Sequence, residues 1–237
     1  MLAFLALPIL ALVSHAPHAA LAALKSDDSR QAIFVSIRTT CASLVLIVLF
    51  GTPVAIFLGR GRFFGSGLVA TFVEVPMVLP PAVAGIGLLL AFGRNGLIHT
   101  ELPFTMGAVV LAQTFVAAPL YIRPLAAALQ GIDPHWHDAA ALDGASGFQT
   151  LRWITFPLVR VTVISGAVLA WARSLGEFGA TILFAGNLAG KTQTMPLAIY
   201  LGLESDLNQA IGLSVVLLAV ALIILALVRG LEQFARR

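Results

Sequence analysis

The chain has 237 residues, of which 59% are hydrophobic and only 11% charged, with a formal net charge of +3. A soluble domain carries about a quarter charged residues, so a soluble enzyme is excluded and a protein immersed in lipid is expected. The basic residues form no clustered face, which argues against nucleic acid, and the lone Cys41 forbids a disulfide within the chain.

Runs free of Lys, Arg, Asp and Glu can be matched, in chain order, against the roughly 20 residues that a helix needs to cross hydrocarbon. Residues 1–24 come first, although Pro17, His15 and His18 interrupt the second half. This run reads as a retained helix or as a signal peptide lacking a positive leader, and a start upstream of Met1 stays open. Residues 39–59, 75–93 and 102–122 follow as spans. A fifth span runs from 154 to 172 if Arg160 snorkels at its end, and 207–228 is the last. The expected fold is therefore an all-α polytopic membrane protein with about six transmembrane helices, or five without the first, forming a single domain over 1–237.

Gly51, Pro53, Pro76, Pro80, Pro81, Gly85, Gly87 and Pro119 lie inside these spans. Such residues survive in a bilayer where neighbours satisfy the freed backbone groups. Two readings remain for them: close packing with kinks, or a break at Pro80 and Pro81 that lines a pathway.

Residues 133–157 are polar where both flanks are apolar. His135, His137, Asp138, Asp143 and Arg152 crowd together there. A histidine pair at this spacing suits an interface or solvent better than a metal, which needs further ligands. After the fifth span, Arg173 and Glu177 stand four residues apart and can pair along one helix face. A carboxylate at the end of an apolar helix is costly unless it faces water or a partner. The pair is either a structural ion pair or part of a gate.

Residues 185–192, AGNLAGKT, satisfy a relaxed phosphate-loop pattern. A genuine one joins a buried strand to a helix in a soluble α/β domain, so nucleotide binding by this chain is not expected. Ion-coupled secondary transport requires ionisable groups near the midplane. Here Glu74 and Arg160 lie near span ends. A membrane enzyme would want a convergent polar set at one depth, and none is visible.

The stretch Asp138-Ala139-Ala140, then Gly144, Ile154 and Pro157, resembles the E-A-A-x3-G-x9-I-x-L-P loop of ABC importer permeases of the type I fold. Asp138 replaces the usual Glu, Phe156 the usual Leu, and His137 stands where that family often has a second acid. ARSLGEFGATI, GKTQTMPLAIY and LPPAVAGIGLLLAFGRNGLI narrow the likeness to the molybdate, tungstate and sulfate group, over roughly residues 36–230. The resemblance implies a multi-pass plasma-membrane permease that pairs with a second copy of itself. It also implies a cytoplasmic ABC ATPase dimer, an external oxyanion-binding protein, and no cofactor on this chain, ATP being used by the partner. His137, Asp138, Ala139, Ala140, Asp143, Gly144 and Pro157 would couple to the ATPase, with Pro157 starting the fifth helix. Pro80, Pro81, Arg173 and Glu177 would belong to the pathway or outer gate.

Placing the 133–157 loop in the cytoplasm puts Arg60, Arg62, Arg123, Arg152, Arg160, Arg229, Arg236 and Arg237 inside. Lys25, Arg30, Arg38, Arg94 and Lys191 then lie outside, with Arg173 near the outer boundary. This is a modest positive-inside excess.

Overall fold

The computed structural model describes residues 1–14, 23–61 and 64–235, and among them it contains helices and no strand. Among the described residues four helices are long and apolar enough to cross a membrane, and a sharply bent pair makes five if counted as one span. The predicted first span is described only as α1 (Leu2–Ser14), 13 residues, about 20 Å long at 1.5 Å per residue and too short to cross alone. Residues 15–22, with His15, Pro17 and His18, lie outside the described residues, as do Arg62, Arg236 and Arg237.

Helix α2 (Asp27–Gly59) begins at Asp27, not Thr39. Its added turns carry Asp27 and Asp28 at the N-terminus, where a carboxylate complements the helix dipole. The uncharged-run rule missed those turns because they are polar. The predicted span 75–93 is not one helix. It straddles α3 (Ser66–Val78) and α4 (Pro81–Phe92), between which the chain bends by 118°. Leu79 and Pro80 are extended there, with ψ of 132° and 136°. Each precedes a proline, a position pushed away from the helical region.

Helix α5 (Met106–Gln130) is capped by the Thr105 side chain, which accepts from the Ala108 N–H at 3.3 Å. The polar stretch forms α6 (Pro134–Leu142) and α7 (Gly147–Thr150). A π-helical turn, Leu151–Thr155, then leads directly into α8 (Phe156–Leu175). Beyond it α9 (Gly179–Ala185) and α10 (Met195–Ser205) are short apolar helices that a search for 20-residue runs passes over. Helix α11 (Leu207–Ala235) completes the bundle.

Helices α2 and α5 run parallel. Thr114 donates to Ser43 at 3.1 Å, the Thr52 and Tyr121 hydroxyls lie 2.7 Å apart, and Gln130 Nε2 donates to the Leu58 carbonyl at 2.9 Å. Helix α8 runs antiparallel to α2: Gly166 and Gly51 face the same Tyr121 ring, while further along α8 the Ser174 hydroxyl lies 3.4 Å from that of Ser43, earlier on α2. Trp171 Nε1 also donates to Thr40 Oγ1 at 3.0 Å. Tyr121 is fully buried where the three meet. A Cβ on Gly51 would lie 3.1 Å from its ring, and one on Gly166 3.4 Å. Lipid tails are as apolar as leucine, so small residues that admit a large ring, with a hydroxyl partner for its OH, hold such helices together.

Candidate functional site

Helix α6 is built to project. Asp133 caps it, its side chain accepting from the His135 N–H at 3.0 Å, and Pro134 supplies a first turn that needs no donor. The helix stops in a two-bond C-terminal motif. Ala145 N–H donates to the Ala140 carbonyl at 2.9 Å and Gly144 N–H to the Ala141 carbonyl at 3.1 Å. Gly144 has φ +77°, a left-handed conformation natural to glycine. Directly after it, Ser146 and Gln149 cap α7 reciprocally. The ends of α6 and the start of α7 are thereby capped from within the loop itself.

His137, Asp138, Ala139, Asp143 and Gly144 are exposed, while Ala140 packs inward at 5% exposure. Trp136, Leu142, Phe148 and Trp153 are also exposed, Leu142 at 89%. The sequence reading passed over these four. Their signal was present, since large apolar side chains inside a polar segment point to a contact surface. The Arg152 guanidinium lies 5.4 Å from the Trp153 ring centre, a cation–π contact. His135 and His137 belong to no group of three His, Cys, Asp or Glu side chains among the described residues.

Pro157 is the second residue of α8 and lies in its first turn, as expected. Helical structure is continuous from Gly147 to Leu175, and Pro157 follows the π turn, in which the Phe156 N–H reaches back to the Leu151 carbonyl. A proline inside a helix clashes with the carbonyl four residues earlier, and a wider turn just before it relieves the clash. The buried Thr155 closes that turn, and its Oγ1 lies 3.2 Å from His137 Nε2. Between α6 and the adjoining ends of α2, α3 and α5 opens a cleft of about 1360 Å³, lined in part by Arg60, Glu74, Arg123, His137 and Asp138. Arg123 Nε and Glu74 Oε1, 3.1 Å apart, bridge α5 to α3 across it.

The second set of predicted residues gathers at the far end of α8. Glu177 is 1% exposed. One carboxylate oxygen meets Arg173 Nη1 at 2.7 Å, and the other accepts the Ala180 N–H at 2.9 Å in the first turn of α9. Pro81 opens α4 against Gly179, where a Cβ would fall 2.5 Å from the proline Cβ. A Cβ on Gly85 would lie 2.9 Å from both the Ala180 carbonyl oxygen and Leu183 Cβ. Arg173 and Glu177 are thereby joined to α9, and Pro81 abuts the same helix at Gly179, while Pro80 and Pro81 both remain exposed at the break. The 133–157 residues lie at the opposite end of the bundle.

In the phosphate-loop lookalike Lys191 is exposed and the hydroxyl residue turns inward. Thr192 is buried and its Oγ1 accepts from the Leu188 N–H at 3.0 Å, while the Met195 N–H donates to Ser36 Oγ at 2.7 Å. Helix α9, rather than a strand, precedes it.

Residues 51–237 match the family model described as "Binding-protein-dependent transport system inner membrane component". The chain is 39% identical over 215 residues to the probable transport system permease protein NifC of Clostridium pasteurianum, covering 87% of this chain and 75% of that one. It is 42% identical over 230 residues to the molybdenum transport system permease protein ModB of Mycobacterium tuberculosis, covering 93% and 87%. A crystal structure of a bacterial alginate ABC transporter, 19% identical, superposes with TM-score 0.70 over 100% of this chain and 90% of that one, a likeness of fold. On these matches the chain belongs to the family of binding-protein-dependent transport system inner membrane components.

Proposed function

We propose that this chain is the pathway-forming subunit of an ATP-driven importer of a tetrahedral oxyanion, with molybdate as cargo. Members of the family are transport permeases that work with a separate ATPase and a substrate-binding protein. The molybdate assignment draws on relatives named as molybdenum permeases that are aligned over most of both chains, together with the SLGEFGAT and GKTQTMPLAIY segments.

The observation that carries the coupling role is α6, an exposed helix capped at both ends and with Trp136, Asp138, Leu142 and Asp143 exposed. A rigid projection of this kind suits a groove on an ATPase subunit. Movement of that subunit then reaches the membrane helices through two fixed points, the end of α5 and the start of α8. His137, Asp138, Ala139, Ala140, Asp143 and Gly144 form the docking segment, on the cytoplasmic side. At the outer end Pro80, Pro81, Arg173 and Glu177 shape the gate. Two copies enclose the pathway, since Pro80 and Pro81 are exposed in a single chain. This chain binds no cofactor, and ATP is consumed by the partner. A dianion cannot cross hydrocarbon unaided, and driving it inward requires an element joined to both moving parts.

The test is reconstitution. The permease co-expressed with its ATPase and binding protein, in liposomes containing ATP, should accumulate labelled molybdate and should not do so without the ATPase. Equal or preferential uptake of sulfate would overturn the cargo, and failure of the ATPase to co-purify would overturn the coupling role.

A further inference from the structure

We propose that His137 and Thr155 form a clasp through which movement of α6 is passed to the π turn at the base of the α8 span. The inference rests on the coupling role of α6 and adds the route by which that role reaches the membrane. Helix α6 is joined to α8 through the backbone of residues 143–150, which contains the left-handed Gly144 and a four-residue helix. A connection with two turns in it transmits a push poorly. The hydrogen bond between His137 Nε2 and Thr155 Oγ1 bypasses it, joining positions 18 residues apart in sequence at 3.2 Å.

Each end of the clasp is suited to the task. His137 is on the same helix as the exposed Asp138 and Leu142, so whatever seats α6 moves its ring. Thr155 is 7% exposed, and His137 is the hydrogen-bond partner of its hydroxyl. It is also the last residue of the π turn, directly before Phe156 and Pro157. Pro157 has no N–H with which to lock the preceding turn, and a π turn within an α-helix is often a site of adjustment. Displacing Thr155 therefore alters the register where the span is least constrained. His137 and Thr155 both line the cleft below α2, α3 and α5, which leaves room for the motion. His137 is in this reading a positioning residue that acts through Thr155.

The experiment compares Thr155→Val, Thr155→Ser, His137→Ala and the His137→Ala/Thr155→Val pair in the reconstituted transporter with its ATPase and binding protein. Three quantities are read: ATPase co-purification, ATP hydrolysed, and molybdate accumulated per ATP. Valine keeps the shape of threonine and lies away from the docking face, so the Thr155→Val complex should retain its ATPase. Accumulation per ATP should fall about three- to tenfold, the factor set by one neutral hydrogen bond of ordinary net strength. Thr155→Ser should restore it, and the double variant should be no worse than either single change. Wild-type accumulation per ATP in Thr155→Val, or additive losses in the double variant, would overturn the clasp. Co-purification reads the docking role separately.

Discussion

Arg173 and Glu177 are 2.7 Å apart although α8, which carries the arginine, ends at Leu175 before the glutamate is reached. The ion pair thus fastens the end of one helix to the beginning of the next, because the second carboxylate oxygen holds the Ala180 N–H of α9. Glu177→Ala removes both contacts. Its cost should be about 2 kcal/mol, below the roughly 3–5 kcal/mol of a fully buried pair because Arg173 remains one-third exposed. A lower melting temperature in detergent checks this. Glu177→Gln keeps an acceptor for Ala180 and should be milder in stability, yet it should raise ATP hydrolysis in the absence of binding protein if the pair holds the gate closed. Exchanging the charges, Arg173→Glu with Glu177→Arg, should recover only part of the loss, because an arginine at 177 cannot accept from Ala180.

Gly144 offers a separate test of the docking segment. No atom lies within 4 Å of where its Cβ would be, so substitution there meets strain rather than collision. Gly144→Ala should cost about 1–2 kcal/mol through its left-handed backbone and leave uptake measurable. Gly144→Arg adds bulk on the exposed face and should abolish uptake and ATPase co-purification while the protein still inserts. Normal uptake in a well-expressed Gly144→Arg variant would refute the docking assignment.

Sidedness can be read with a membrane-impermeant thiol reagent in a Cys41→Ser background. Ser146→Cys should be protected in intact cells and Lys191→Cys labelled. The adjacent Thr192 is fully buried with its hydroxyl bonded to the backbone, so a cysteine there would report burial rather than topology. Labelling at 146 without labelling at 191 would invert the orientation.

Gly179→Ala places a methyl 2.5 Å from Pro81 Cβ, which the proline ring cannot yield to without moving α4. A destabilisation of about 1–3 kcal/mol is expected from overpacking, measured as loss of thermal stability together with uptake. Gly87→Ala on the same helix has no atom within 4 Å and serves as the neutral control.

The spans legible in the sequence were those whose environment is uniform. Residues 106–122 of α5 and 207–228 of α11 are free of charged side chains because lipid or other helices surround them. The docking segment was legible for the opposite reason, being polar among apolar neighbours. What escaped the pattern lies where one helix passes between environments. The first turns of α2 carry Asp27, Asp28 and Arg30, and the helical run that leads into α8 begins at Gly147 in the polar loop, so charge content placed both starts too late. The double role of Glu177 escaped because the partner amide of Ala180 becomes available only once α9 forms. Trp136 and Leu142 escaped because apolar residues in a membrane protein attract no notice until a structure shows them facing out.

The elbow at Leu79 and Pro80 separates two helices with different allegiances. Helix α3 answers to α5 through Glu74 and Arg123, while α4 answers to α9 through Gly85 and Gly179. A continuous helix would act as a stiff rod, forcing any tilt at one membrane face to reappear at the other. Here the rod is already cut, and two extended residues absorb the difference. Either face can therefore be remodelled while the other stays shut, which is what a conduit that is never open at both ends requires of its walls.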